Sequence, residues 1–163
     1  MSKRSHTLPG KVYQFVHRED LYIRTNLAGR RFDNQWLRIQ PEGTITLKGS
    51  SRDGYAWDGC SPKGQWLHVI WGTPDGKLDY RTEQPMTYFA SMFHDVMYQF
   101  KDEIDLSRWE ADELFKQVLQ QSGFLLWPLY WRAVRLFGGQ FGGWQRQESQ
   151  QSLRLLEMSW LDG

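Results

Sequence analysis

His94, Asp95 and Tyr98 sit together in the run Phe93-His94-Asp95-Val96-Met97-Tyr98-Gln99-Phe100, and a further carboxylate follows at Asp112. These residue types do acid–base chemistry. A histidine held by a carboxylate is locked in one tautomer and acts as a general base. A second carboxylate beside it is a ligand for a hard cation such as calcium. The phenol of Tyr98 can orient the first carboxylate by a hydrogen bond. The competing reading is a polar helix face whose carboxylates, Asp95 and Asp112, make structural hydrogen bonds only.

Spacing decides which groups meet. The period from Thr87 to Lys101 is helical. With about 100° per residue, Met92, Phe93, Val96 and Phe100 fall within about 60° of Phe89. Ser91, His94, Asp95 and Tyr98 fall on the opposite side, between about 140° and 240°. His94 and Tyr98 are one turn apart, so their side chains are neighbours. A second helix opens at Ser107-Arg108-Trp109-Glu110, a capping-box pattern, and stops at Ser122-Gly123. Its apolar stripe is Ala111, Leu114, Phe115, Val118 and Leu119, with Asp112 at the edge. A carboxylate there needs a partner. The short connection makes the two helices antiparallel neighbours, so Asp112 is expected to reach His94.

The rest of the chain supplies the frame. Short β segments are expected over 11–57: Val12–Val16, Leu21–Thr25, Trp36–Ile39 and Thr44–Leu47, with a turn at Pro41-Glu42-Gly43. Residues 58–86 are rich in Gly and Pro and read as loop, the kind of long insertion that is often functional. Helices occupy 87–139, the third over Leu126–Phe137 with Pro128 in its first turn. Residues 140–163 read as a Gly-rich hinge and a C-terminal helix, about Trp144–Trp160, whose polar face suits a host or phage protein partner or a fold-back onto the domain. The fold class is therefore α+β: an antiparallel β-meander, then a bundle of three to four helices, in one domain over 1–139.

Composition excludes several classes. With 20 basic and 19 acidic residues among 163, the chain lacks the charge of a nucleic-acid binder. One cysteine, Cys60, excludes a disulfide framework and a Cys-rich zinc site. The N-terminus has no apolar leader, and no apolar stretch is long enough to span a bilayer, so a cytoplasmic location is expected. Nine Trp, nine Phe and seven Tyr serve either an aromatic core or an interface for lipid, sugar or protein. The run Leu125–Trp131, with Arg132 and Arg135 beyond, reads as the third core helix or as a peripheral membrane contact.

Two resemblances attach to these residues. His94-Asp95, with Tyr98 and then Asp112 on a second helix, resembles the catalytic pattern of phospholipase A2 enzymes. That resemblance implies His94 as the base that activates water, Asp95 as a calcium ligand, and Tyr98 with Asp112 as the histidine's support. The paired cysteines of the secreted enzymes are missing, and so is their glycine-rich loop just before the histidine. The segment Gly54–Ser61 is its nearest substitute. Asp58 there is a candidate direct metal ligand, and equally a former of the Asp58-Gly59 turn. The order Trp57–Pro62, Ala90–Tyr98, Arg108-x-x-Ala111-Asp112-x-x-Phe115 and Val134–Gly138 resembles a phage and prophage family catalogued as domain of unknown function 1353. This similarity covers roughly 40–139 and implies a phage-type protein without fixing an activity.

Other sites are weaker. The HD phosphohydrolases need further histidine ligands on helices, and His6, His17 and His68 lie outside the helical segments. Cys60 is either a small buried residue or a nucleophile served by His94. Two functions follow. One is a calcium-dependent phospholipase A2-like hydrolase of phospholipid or other esters, with His94, Asp112 and Tyr98 catalytic and Asp95 and Asp58 on the metal. The other is a non-enzymatic phage accessory or host-protein-binding protein in which the same cluster is structural.

Overall fold

The computed structural model describes residues 15–51, 53–57, 78–142, 144 and 152–161. The chain is α+β; among the described residues, antiparallel sheets occupy the N-terminal half and three helices follow. The strands are β1 (Phe15–His17), β2 (Asp20–Thr25), β3 (Phe32–Asp33), β4 (Leu37–Ile39), β5 (Thr44–Lys48), β6 (Tyr55–Trp57) and β7 (Leu155–Met158). The helices are α1 (Tyr88–Gln99), α2 (Arg108–Gln121) and α3 (Trp127–Gly142).

Five strands form one sheet in the order β3-β4-β5-β2-β7, every neighbour antiparallel. Alternation sets its faces. Leu21, Ile23, Leu37, Ile39, Ile45 and Leu47 are buried, while Asp20, Tyr22, Arg24 and Arg38 point outward. An antiparallel sheet covered on one side has this pattern. The β4–β5 turn requires Gly43. Its φ is 96°, and a Cβ there would run into the carbonyls of Thr25 and Leu27.

β1 and β6 make a separate two-stranded ribbon, paired from Phe15↔Trp57 to His17↔Tyr55. All three residues of β6 are buried, which is why no alternation marks it in the sequence. The ribbon lies on α1. Trp57 packs edge-on to Tyr88 at 4.7 Å and its Nε1 donates to Ser91 Oγ at 3.1 Å. One apolar core joins the sheet's inner face, the ribbon and the helices. Each fully buried Leu, Ile or Phe in it contributes about 1.5–3 kcal/mol.

The capping box at Ser107 is present in full: its hydroxyl accepts from Glu110 N–H while Glu110 accepts from Ser107 N–H. At the other end Gly123 has φ 75°. Phe124 N–H returns to Leu119 O at 3.0 Å and Gly123 N–H to Gln120 O at 3.0 Å, a Schellman stop.

The C-terminus departs from expectation. Helix α3 runs on through Gly138 and Gly139 to Gly142, so those residues are not a hinge. Among the described residues beyond it there is no helix, and 155–158 form edge strand β7. Leu153 and Leu155 face inward two residues apart, a strand period that the neighbouring Leu156 disguised as a helical stripe. The strand is tied down from both sides. Asn26 Nδ2 donates to Ser152 O at 2.8 Å, and Arg154 N–H donates to Asn26 Oδ1 at 2.7 Å. Gln117 of α2 receives Leu155 N–H at 2.7 Å and donates to Leu153 O at 3.0 Å. Trp160 then stacks on Phe89 at 4.4 Å. A C-terminal helix is thus no longer the place for a partner. No helix among the described residues is long and apolar enough to cross a membrane.

The ribbon also carries a pH-sensitive contact. His17 Nδ1 pairs with the Tyr88 hydroxyl at 3.1 Å, while its Nε2 is sealed from solvent without a partner. Burial pushes the imidazole below its usual value, with Glu19 opposing. The same burial pushes Tyr88 up to about 12. The fold therefore prefers neutral His17. Its contribution is complete above the unfolded value of about 6.5 and is lost as pH falls from there toward the lowered folded value. Denaturant midpoints at neutral and mildly acidic pH should fall for the wild type and fall less for His17→Gln. Equal falls would remove His17 as the cause.

Candidate functional site

The polar side of α1 is covered by two different elements. His94 and Tyr98 turn toward α2. Asp95 turns toward the ribbon, where Tyr55 donates its hydroxyl to Asp95 Oδ2 at 2.5 Å. Tyr55 also lies 3.2 Å from Gln99 Oε1. Ser91, on the same side of α1, is taken by Trp57. The four polar groups expected on one patch are divided between two partners.

On the α2 side the geometry is close. His94 Nε2 lies 2.9 Å from Asp112 Oδ1, and Tyr98 donates to the same oxygen at 2.7 Å. Asp112 has no exposed side-chain surface and His94 retains 15%. A carboxylate oxygen accepts, so Nε2 carries the proton and the neutral ring keeps its lone pair on Nδ1. Nδ1 makes no hydrogen bond among the described residues, and the side chain keeps that 15% of its surface. The ring is fixed between Tyr98, 4.3 Å away, and Phe115, at 4.9 Å. Tyr98 is capped in turn by Trp144 at 4.9 Å. Burial, and then the charge of Asp112, holds the Tyr98 phenol far above the ordinary range, so it stays a donor.

Two arginines complete the cluster, and the sequence had placed Arg108 only in a motif and Arg135 in a motif and at a core helix or membrane contact, neither with Asp112. Arg135 of α3 donates from Nη1 to Asp112 Oδ2 at 3.0 Å. Arg108 lies one turn before Asp112, with Nε 3.5 Å from Oδ2. That nitrogen donates to the Tyr98 hydroxyl at 3.2 Å, and Nη2 donates to the carbonyls of Val134 and Arg135. Asp112 therefore fastens all three helices. The i,i+4 spacing of Arg108 and Asp112 was the available signal. Arg135 had none, because its contact spans two helices.

The expected metal ligands fare differently. Asp58 lies outside the described residues, as do Cys60, His6 and His68. Asp95 already accepts from Tyr55. Among the described residues no three His, Cys, Asp or Glu side chains gather within reach of one ion. Calcium takes six to eight oxygens, so the described residues alone do not make up a calcium site, and Asp58 lies outside them. What the arrangement can do by itself is accept a proton at His94 Nδ1 and hold the resulting imidazolium against Asp112.

Comparison with family models, curated proteins and solved structures gives no match to this chain.

Proposed function

We propose that this is a phage-type ester hydrolase of the phospholipase A2 kind, working in the host cytoplasm with His94 as its general base. One observation carries the reading: His94 Nε2 sits on buried Asp112 while the His94 side chain keeps part of its surface exposed. Nδ1 takes a proton from water as the oxygen bonds to the ester carbonyl carbon. The tetrahedral intermediate then expels the alcohol oxygen, which takes the proton back from His94, leaving a carboxylic acid that releases its own proton to solvent. Asp112 stabilises the imidazolium between these steps, and Tyr98 keeps Asp112 aimed. A calcium ion on Asp95 and Asp58 would polarise the carbonyl.

The test is fatty-acid release from mixed phospholipid vesicles, with calcium and with chelator. His94→Ala should cut release at least about 100-fold. Release that survives chelator would remove calcium from the proposal and keep the base. No release from any lipid or simple ester overturns the hydrolase.

A second reading has its own support. Asp112 is saturated by His94, Tyr98 and Arg135, with Arg108 close by, as a structural knot would be. In that case the chain is a phage accessory or host-protein-binding protein. His94→Ala would then lower stability and abolish no activity.

A further inference from the structure

Four rings follow one another through the candidate site. Phe115 lies 4.9 Å from His94, His94 lies 4.3 Å from Tyr98, and Trp144 meets Tyr98 edge to face at 4.9 Å. The end members are buried, Phe115 at 2% exposed and Trp144 at 7%. The two between them are half-buried and carry the polar atoms that reach Asp112. Phe115 belongs to α2, the helix that also brings Asp112. Trp144 comes from the chain just past α3.

What Trp144 supplies is its ring. Its Nε1 is sealed from solvent and makes no hydrogen bond among the described residues. A buried donor without an acceptor is a cost, so the N–H does not explain a tryptophan here. The edge-to-face contact does, because such a pair is favourable beyond burial and fixes the angle between two rings.

Tyr98 depends on that angle. Its hydroxyl accepts from Arg108 Nε at 3.2 Å and donates to Asp112 Oδ1 at 2.7 Å. The hydroxyl is rigidly joined to the ring, so a swing of the ring carries it off Asp112. The same swing removes one wall of the His94 ring. The imidazole is then free to turn and offer Nδ1 to Asp112 in place of Nε2, which is the other tautomer. We infer that Trp144 is a positioning residue for His94, acting through Tyr98, and this rests on His94 being the base of the proposed hydrolysis.

The test reads the His94 tautomer of the full chain by two-bond proton–nitrogen NMR, which needs no turnover. Wild type should show the Nε2–H form. Trp144→Leu keeps apolar bulk and loses the ring, and should place at least about a tenth of the molecules in the Nδ1–H form. Trp144→Met, which fills the space with a flexible chain, is the second variant and should read the same. Trp144→Phe restores a ring without the N–H and should return the wild-type pattern. In a Tyr98→Phe background, which lacks the hydroxyl, Trp144→Leu should change the tautomer no further. In the ester assay Trp144→Leu should lower kcat at least about tenfold and move KM by less than about twofold. A folded Trp144→Leu or Trp144→Met with the wild-type tautomer overturns the assignment, and so does a loss of stability with no change of tautomer. A Trp144→Phe that behaves like Trp144→Leu overturns it, as do additive changes in the double variant. The expected tautomer shifts without any ester hydrolysis would overturn the hydrolase and uphold Trp144 as the residue that positions His94.

Discussion

Asp112→Ala is expected to lower the free energy of unfolding by about 3 kcal/mol or more, the range for removing one partner of a buried ion pair. The carboxylate is fully buried and bonded on both oxygens, by His94 and Tyr98 on Oδ1 and by Arg135 on Oδ2. Removing it takes the Asp112 acceptor from Arg135 and from the Tyr98 phenol, and takes the nearby charge from Arg108. The arginine side chains keep 18% and 25% of their surface, so water recovers part of the loss and the low end of the range applies. Asp112→Asn keeps an acceptor for Tyr98 and loses the charge, so it should fall between Asp112→Ala and wild type. Denaturant unfolding with linear extrapolation measures both. A loss below about 1 kcal/mol for Asp112→Ala would mean that the knot does not hold the three helices together, and the buried-pair argument would fail.

The parts of this molecule legible in its sequence are those set by local periodicity. The α1 stripe, the Ser107 capping box, the Gly123 stop and the inward residues of β2, β4 and β5 each follow from spacing within one element. So does the meeting of His94, Tyr98 and Asp112, because a short connection fixes α1 against α2. Features that rest on contacts between distant segments were hidden. Ribbon strand β6 is buried on every side, so it shows no alternation. Strand β7 is too short for its period to outweigh a helical stripe, and pairing with β2 decides it. Asp95 looked available to a cation because Tyr55, its partner, lies 40 residues earlier in the chain. Arg135 reaches Asp112 from the third helix, where no local pattern could announce it. The site was therefore readable as a histidine and its carboxylate, and unreadable as a knot of three helices.

Glu110→Ala is expected to cost about 3–5 kcal/mol, because this side chain does two jobs at a buried position. It is 1% exposed. It receives Arg30 through both oxygens, at 2.6 and 2.7 Å, and it accepts Ser107 N–H at 2.8 Å. Arg30 comes from the connection after β2, so the pair latches the sheet's loops to the start of α2. Truncation leaves the guanidinium of Arg30 mostly buried and unpaired from this partner, and it strips half the capping box, itself about 1 kcal/mol. It also removes a negative charge from a helix N-terminus, where one is favourable. Glu110→Gln keeps the cap and loses the charge, so the difference between the two variants isolates the ion pair. A double-mutant cycle with Arg30→Ala should give a coupling above about 1 kcal/mol. Additive losses would show that Arg30 and Glu110 act independently and that the cap alone holds α2. The consequence reaches the site, since Arg108 stands two residues before Glu110. A frayed first turn of α2 would release the grip of Arg108 on Tyr98 and on the carbonyls of α3. Glu110→Ala should therefore also impair any hydrolysis that depends on His94, and Glu110→Gln should impair it less.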